Sequence, residues 1–285
     1  MGEKGQTALV TGASSGIGRE TAIKLAGKGF KVIAAARRRD RLAELADKVQ
    51  GIIPRQIDLS DPEEIERFCR EISSLQEPVS VLINNAGYSV RGALEDVSIE
   101  AVRRIFEVNL FAMIRITQAC LPGMRQFRKG TIVNLSSIAG KFTFPLGGVY
   151  ASTKHALEAV TDALRMEVRP FGIRVVAIRP GAIATEFNEV ANQMTGDLLS
   201  RTASDYKPVY QASGASLGKV FASISIPGPD LIADLILEAV LSDAPKAVYS
   251  GGPIVEEFLG QRFKLDDDGF DRFMTEKTGL MCLKV

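Results

Sequence analysis

The sequence predicts a single α/β domain over residues 1–285: a doubly wound parallel sheet of seven strands, covered by helices on each face. Two observations predict it. Seven short apolar runs alternate with helical stretches, and a glycine-rich turn, "TGASSGIG" (11–18), joins the first run to the first helix. No solenoid repeat or low-complexity segment competes with that reading. Right-handed crossovers then give a three-layer sandwich with ligands at the carboxyl ends of the strands.

"TALVT" (7–11) is the first strand, and "GIGRETAIKLAGKG" (16–29) a helix closed by glycine. "KVIAAA" (31–36) is a strand, "DRLAELADKV" (40–49) a helix and "GIIPRQID" (51–58) extended. Ser60-Asp61-Pro62-Glu63 opens a helix, with Ser60 or Asp61 as cap and Pro62 in its first turn. "VSVLINNAG" (79–87) is a strand running into a glycine turn, a long helix covers 98–127, and "GTIVNLSS" (130–137) returns to strand. Helix 149–169 stops at Pro170, "GIRVVAIRPG" (172–181) is a strand, helix 230–241 follows, and "KAVYSGG" (246–252) is the last strand. Two regions break the rhythm: an insertion at 186–228 and a tail at 253–285.

Lys and Arg number 35 against 34 Asp and Glu, a balance that leaves no electrostatic footprint for nucleic acid or an anionic membrane. The 46% of hydrophobic residues supports a substantial core. Cys69, Cys120 and Cys282 lie far apart, as expected of reduced thiols, and with the single His155 they form no metal-ligand spacing. No apolar run approaches the ~20 residues of a membrane span, and "MGEKGQTALV" has no signal-peptide core. A cytoplasmic protein is expected.

Gly12, Gly16 and Gly18 permit a tight turn, close approach of backbone to pyrophosphate and close helix–strand packing. A phosphate then meets the free N–H groups of a helix N-terminus. The second strand runs into Arg37-Arg38-Arg39 with no acid before Asp40. An acid there would repel a 2′-phosphate, whereas a guanidinium grips it, so NADP(H) is expected over NAD(H), with Arg37 first and Arg38 second. Tyr150 and Lys154 are four residues apart on one helix face, where the ammonium would lower the phenol pKa and suit it to acid–base work.

Taken together and in order, these motifs resemble the short-chain dehydrogenase/reductase family over residues 6–250. The matching residues are Thr11 to Gly18, Asp58-Leu59, Asn84-Asn85-Ala86-Gly87, Asn109, Ser137, Tyr150, Lys154, Pro180-Gly181 and Thr185. The resemblance implies a Rossmann-type fold, with Gly12, Ser14, Ser15, Gly16, Ile17 and Gly18 at the cofactor phosphates. It implies Asp58 at the adenine, Leu59 among the cofactor-binding residues, and Asn85, Ala86 and Gly87 beside the adenosine ribose. Pro180, Gly181 and Ile183 would bind the cofactor, Thr185 would hold the nicotinamide carboxamide, and Lys154 would bind the nicotinamide ribose. Tyr150 becomes the proton donor, Ser137 the hydroxyl on the substrate oxygen, and Asn109 the anchor of a water relay. The family commonly forms dimers and tetramers, so a homo-oligomer is expected.

Substrate identity is less legible. The insertion carries Phe187, Val190, Met194, Leu198, Leu199, Tyr206, Tyr210, Leu217 and Phe221, which suits a mobile lid over an apolar ketone or aldehyde. Tyr88, Val90, Phe142, Phe144, Leu146 and Val149 are further candidates for the pocket wall. The tail's Phe258, Leu259, Phe263, Phe270 and Phe273 could dock it on the body or on a partner subunit. The stretches "PFGIRVVAIRPGAIATEF" and "SSIAGKFTFPLGGVYASTKHAL" are similar to the branch holding retinol and 17-beta-hydroxysteroid dehydrogenases. A non-catalytic dinucleotide-binding regulator, or an isomerase or dehydratase on the same fold, stands as the alternative to a carbonyl reductase.

Overall fold

The computed structural model describes residues 6–189, 191, 193, 196, 205–281, 283 and 284. The insertion's Val190, Met194, Leu198 and Leu199, together with Cys282 and residues 1–5, lie outside the described residues. The strands are β1 (Thr7–Thr11), β2 (Lys31–Ala36), β3 (Ile52–Gln56), β4 (Val79–Asn84), β5 (Gly130–Leu135), β6 (Ile173–Pro180) and β7 (Val248–Gly251). They form one parallel sheet in the order β3-β2-β1-β4-β5-β6-β7. The order reverses between β1 and β4, which opens a cleft at their carboxyl ends.

Both faces of the sheet are covered, so every residue of β1 is buried. Ala8, Val10, Val32 and Ala34 face helices α1 (Gly16–Gly27) and α2 (Arg39–Lys48), with Leu25, Leu42 and Leu45 in the same core. Leu9, Ile33 and Leu82 face the opposite layer, where Phe68 of α3 (Pro62–Ser73) packs with Ile116 and Cys120. Asp61 caps α3 by accepting from Glu63 N at 2.9 Å, and Pro62 sits in the first turn. Ser60 turns back to Asp58 instead.

The predicted helix 98–127 is interrupted. Helix α4 (Ile99–Phe106) passes through a π-helical turn, Glu107–Phe111, into α5 (Ala112–Gln126). The extra residue of a π turn is a backbone event with no composition signal, and here it carries Asn109. The 28-residue stretch Ile99–Gln126 is also long and apolar enough, by length and composition, to cross a membrane. The expectation concerned uninterrupted apolar runs, and here arginines punctuate the stretch without stopping the helix. Half of its apolar window is buried in the protein, where Met113, Ile116, Cys120 and Met124 belong to the cores.

Helix α6 (Gly148–Val168) carries Tyr150 and Lys154 and ends in a 3-10 turn through Pro170, closed by Gly172 at φ 72°. Helices α7 (Lys207–Ala222) and α8 (Asp230–Leu241) precede β7. The Tyr210 hydroxyl pins α7 to the loop after β4, accepting from Ala93 N at 2.8 Å and donating to Asp96 Oδ2 at 2.9 Å. Tyr206 likewise donates to Glu95.

The tail folds into α9 (Val255–Lys264) and α10 (Asp267–Lys277). Phe258, Phe270 and Phe273 pack on Phe142 and Phe144, with the Phe142 and Phe258 rings stacked at 5.6 Å. Phe142 and Phe144 therefore belong to the tail cluster, while Tyr88, Val90 and Val149 gather around Tyr150. Phe263 stays exposed, and Leu146 takes a left-handed φ of 66° while its carbonyl accepts from Gly92 N. The core explains the first two placements: two rings that close a buried aromatic cluster are no longer free to line a cleft.

Candidate active site

The glycine turn between β1 and α1 forms one wall. Gly12 and Gly16 adopt φ of 67° and 53°, which other residues rarely do. A Cβ at Gly18 would strike the Asn85 amide and stand 2.5 Å from the Gly12 carbonyl oxygen. Thr11 Oγ1 accepts from both Asn85 N and Ala86 N at 3.0 Å, and Asn85 Nδ2 donates to Thr11 O at 2.9 Å. The two central strand ends are thereby stitched together at the switch point. Ser15 gives α1 no side-chain cap, so its first N–H groups remain for an anion. The Ile17 side chain packs inward against the core.

The opposite wall is the segment after β6. Gly181 N donates to Gly251 O at 2.8 Å, Ile183 is buried, and Thr185 comes within 3.2 Å of where a Gly16 Cβ would stand. Any side chain at Gly16 would narrow the groove, so this cradle fits a dinucleotide pyrophosphate.

At the far end, burial pushes the Asp58 carboxyl up, but hydrogen bonds from Ser60 and the charges of Arg37 and Arg104 outweigh it and hold it below its ordinary value. Leu59 is buried beside it. Of the two arginines, Arg38 is the one that reaches the glycine turn, donating through Nε to Ser14 Oγ at 3.1 Å and through Nη2 to Ser15 Oγ at 2.5 Å. Arg37 is exposed and holds Gln56 through its carbonyl.

The reacting end combines β5 and α6. Tyr150 packs edge-on against Phe187 at 5.6 Å. Burial pushes its phenol from 10.0 up to about 12, opposed by a hydrogen bond with Ser137 and by the positive charge of Arg91. Ser137 also accepts from Ala139 N at 3.1 Å, while the Ser136 hydroxyl bonds Glu158. Lys154, 4% exposed, donates to Leu135 O at 2.7 Å and lies 5.9 Å from the Tyr150 ring. Burial pushes its ammonium from 10.5 down to about 8, against the charge of Glu158. The cation opposing the rise of the phenol is thus Arg91 rather than Lys154. Distance and orientation explain it: the ammonium is turned to a carbonyl of β5 rather than to the phenol oxygen.

Asn109 spends its side chain on protein partners, donating to Tyr88 O at 2.9 Å and Thr153 Oγ1 at 3.1 Å and accepting from Tyr88 N at 3.0 Å. A Cβ at Gly87 would stand 3.1 Å from Asn109 Oδ1 and 3.7 Å from Lys154 Nζ. His155 is bonded to Ala151 O along the helix. Cys69 and Cys120 are free, buried thiols pushed up by burial. Among the described residues no His, Cys, Asp and Glu group could hold a metal.

Comparison with known proteins decides the family. The description "short chain dehydrogenase" matches residues 6–196. The uncharacterized oxidoreductase YbbO of Escherichia coli (strain K12) is 35% identical over 245 residues, covering 86% of this chain and 84% of that protein. The chain belongs to the short-chain dehydrogenase family. It is accordingly an oxidoreductase of the CH–OH/C=O kind by family. A short-chain dehydrogenase from Streptomyces avermitilis superposes with a TM-score of 0.79 at 31% identity, covering 97% of each chain. Another, from Sphingobium yanoikuyae in complex with NADPH, gives 0.72 at 25% identity, covering 95% of this chain and 96% of that one.

Three features of this short-chain dehydrogenase escape sequence reading. Glu158 is 2% exposed and bonded by both Arg179 Nε at 2.8 Å and Arg179 Nη2 at 2.6 Å. Only its helical offset of four from Lys154 hints at it. Arg91 sits on the loop leaving β4 and donates to Asn188 at 2.9 Å. Glu186 lies next to Thr185 in sequence, but its partners Arg38 and Arg41 are on the far wall.

Proposed function

We propose that this protein is an NADP(H)-dependent carbonyl reductase or alcohol dehydrogenase with Tyr150 as its acid–base group. The observation carrying the reading is the half-buried Ser137–Tyr150 hydrogen bond with the Lys154 ammonium one helical turn on. Ser14, Ser15, Arg38 and the first turn of α1 would hold the phosphates, and Thr185 and Ile183 would flank the nicotinamide. The cofactor supplies hydride. Tyr150, neutral well above pH 7, gives its proton to the developing alkoxide oxygen, and Ser137 hydrogen-bonds that oxygen. Asn109 fixes the Tyr88 turn and α6 relative to each other. The half-buried rings of Tyr88 and Phe187 near Tyr150 suit an apolar, bulky ketone or aldehyde. NADP(H) is favoured by Arg38 at the glycine turn, and the Sphingobium yanoikuyae relative is in complex with NADPH. The same reading takes 1–285 as one catalytic domain, cytoplasmic and homo-oligomeric.

Absorbance of NADPH against aliphatic, aromatic, retinoid and steroid carbonyls tests it, with Tyr150→Phe as control. Turnover that falls at least ~10³-fold in the variant, with NADPH still bound, is expected. A variant as active as the wild type would refute the assignment.

A further inference from the structure

Glu186 joins the two walls of the cofactor groove. Its Oε2 accepts from Arg38 Nη1 at 2.6 Å and its Oε1 from Arg41 Nη1 at 2.5 Å, so each carboxylate oxygen is held by a separate guanidinium. The same Arg38 group reaches Ser14 and Ser15 through its other nitrogens. Two guanidinium groups therefore converge on one anion, and that anion belongs to the protein, while the Ser14 and Ser15 hydroxyls hold Arg38 by accepting from its other nitrogens. Both ion pairs are between two-fifths and one-half exposed, which makes them individually weak. A phosphate monoester, with more charge and three acceptor oxygens, is the stronger ligand for the same donors.

We propose that the Glu186 carboxylate and the 2′-phosphate of the dinucleotide compete for one site on Arg38 and Arg41. Glu186 is then a residue that sets cofactor specificity, an internal competitor that lowers the affinity for phosphorylated dinucleotides and spares unphosphorylated ones. The proposal rests on the NADP(H) reading above. Because Glu186 directly follows Thr185, the 2′-phosphate would also release the nicotinamide-side wall from the glycine-turn side. An alternative geometry, a clasp that stays shut over the bound dinucleotide, makes the opposite prediction.

Calorimetric titration of the full chain with 2′,5′-ADP and with 5′-ADP distinguishes them. Glu186→Gln is expected to tighten 2′,5′-ADP binding about three- to tenfold and to leave 5′-ADP within about twofold, since two weak pairs are released. Glu189→Gln, an equal charge change at an exposed neighbour, is expected to leave both affinities unchanged. Weaker or unaltered 2′,5′-ADP binding in Glu186→Gln overturns the proposal, as does an equal gain in Glu189→Gln. Thermal unfolding of each variant separates a folding defect from a binding effect, and Glu186→Ala must repeat the gain. If the wild type binds 5′-ADP as tightly as 2′,5′-ADP, the NADP(H) reading fails and takes the proposal with it. A wild-type preference that Glu186→Gln does not increase sinks the proposal alone.

Discussion

Replacing Lys154 by methionine should stabilise the protein at neutral pH while abolishing its chemistry. The side chain keeps its unbranched apolar stem and loses only the charged end. The ammonium is buried, and its fall from 10.5 to about 8 corresponds to ~3 kcal/mol of destabilisation below pH 8. The folded pKa lies below the unfolded one, so between the two values the unfolded chain keeps a proton that the native protein has released. Wild-type stability therefore gains from this group as pH rises from about 8 to 10.5, and the penalty is full below that window. The methionine variant also strands the Leu135 carbonyl, a loss of ~1–3 kcal/mol that does not depend on pH. Its advantage over the wild type should therefore be largest at pH 7 and shrink by ~2 kcal/mol by pH 9.5. Urea unfolding of both proteins at the two pH values reads this directly. A difference that is the same at pH 7 and pH 9.5 would refute the reasoning, whatever its sign.

Two further expectations concern packing. Gly18→Ala places a Cβ against the Asn85 amide and the Gly12 carbonyl and should cost ~1–3 kcal/mol, seen as a lower Tm; an unchanged Tm would show that the turn relaxes freely. Phe258→Ala, at a residue 1% exposed, should cost ~3–5 kcal/mol and lower kcat through the Phe142 segment. Wild-type kcat in a destabilised but folded Phe258→Ala protein would uncouple the tail from the site.

The sheet is legible in the sequence because its central strands are covered on both faces, which turns strand into apolar run: "TALVT" and "KVIAAA" can be little else. The glycine turn is legible because backbone demands there admit few residues. What resists reading depends on distance or on backbone detail. The Arg38–Glu186 pair spans 148 residues, and neither partner carries a local mark of the other. The π turn under Asn109 changes no residue type. The Lys154 orientation, toward a carbonyl and away from the phenol, follows from how α6 settles on β5, a matter of packing that four-residue spacing cannot supply.

The aromatic cluster has a consequence for biosynthesis. Ser137 and Tyr150 bracket a segment whose Phe142 and Phe144 have their partners on α9 and α10. Strands β1 to β6 emerge from the ribosome and can pair before residues 255–277 have been made. Nascent chains should thus own a complete glycine turn and a folded sheet while the loop between serine and tyrosine still lacks its lining. Competence to grip a dinucleotide would then precede competence to react it, and a chain stalled short of α9 would be a binder that cannot turn over.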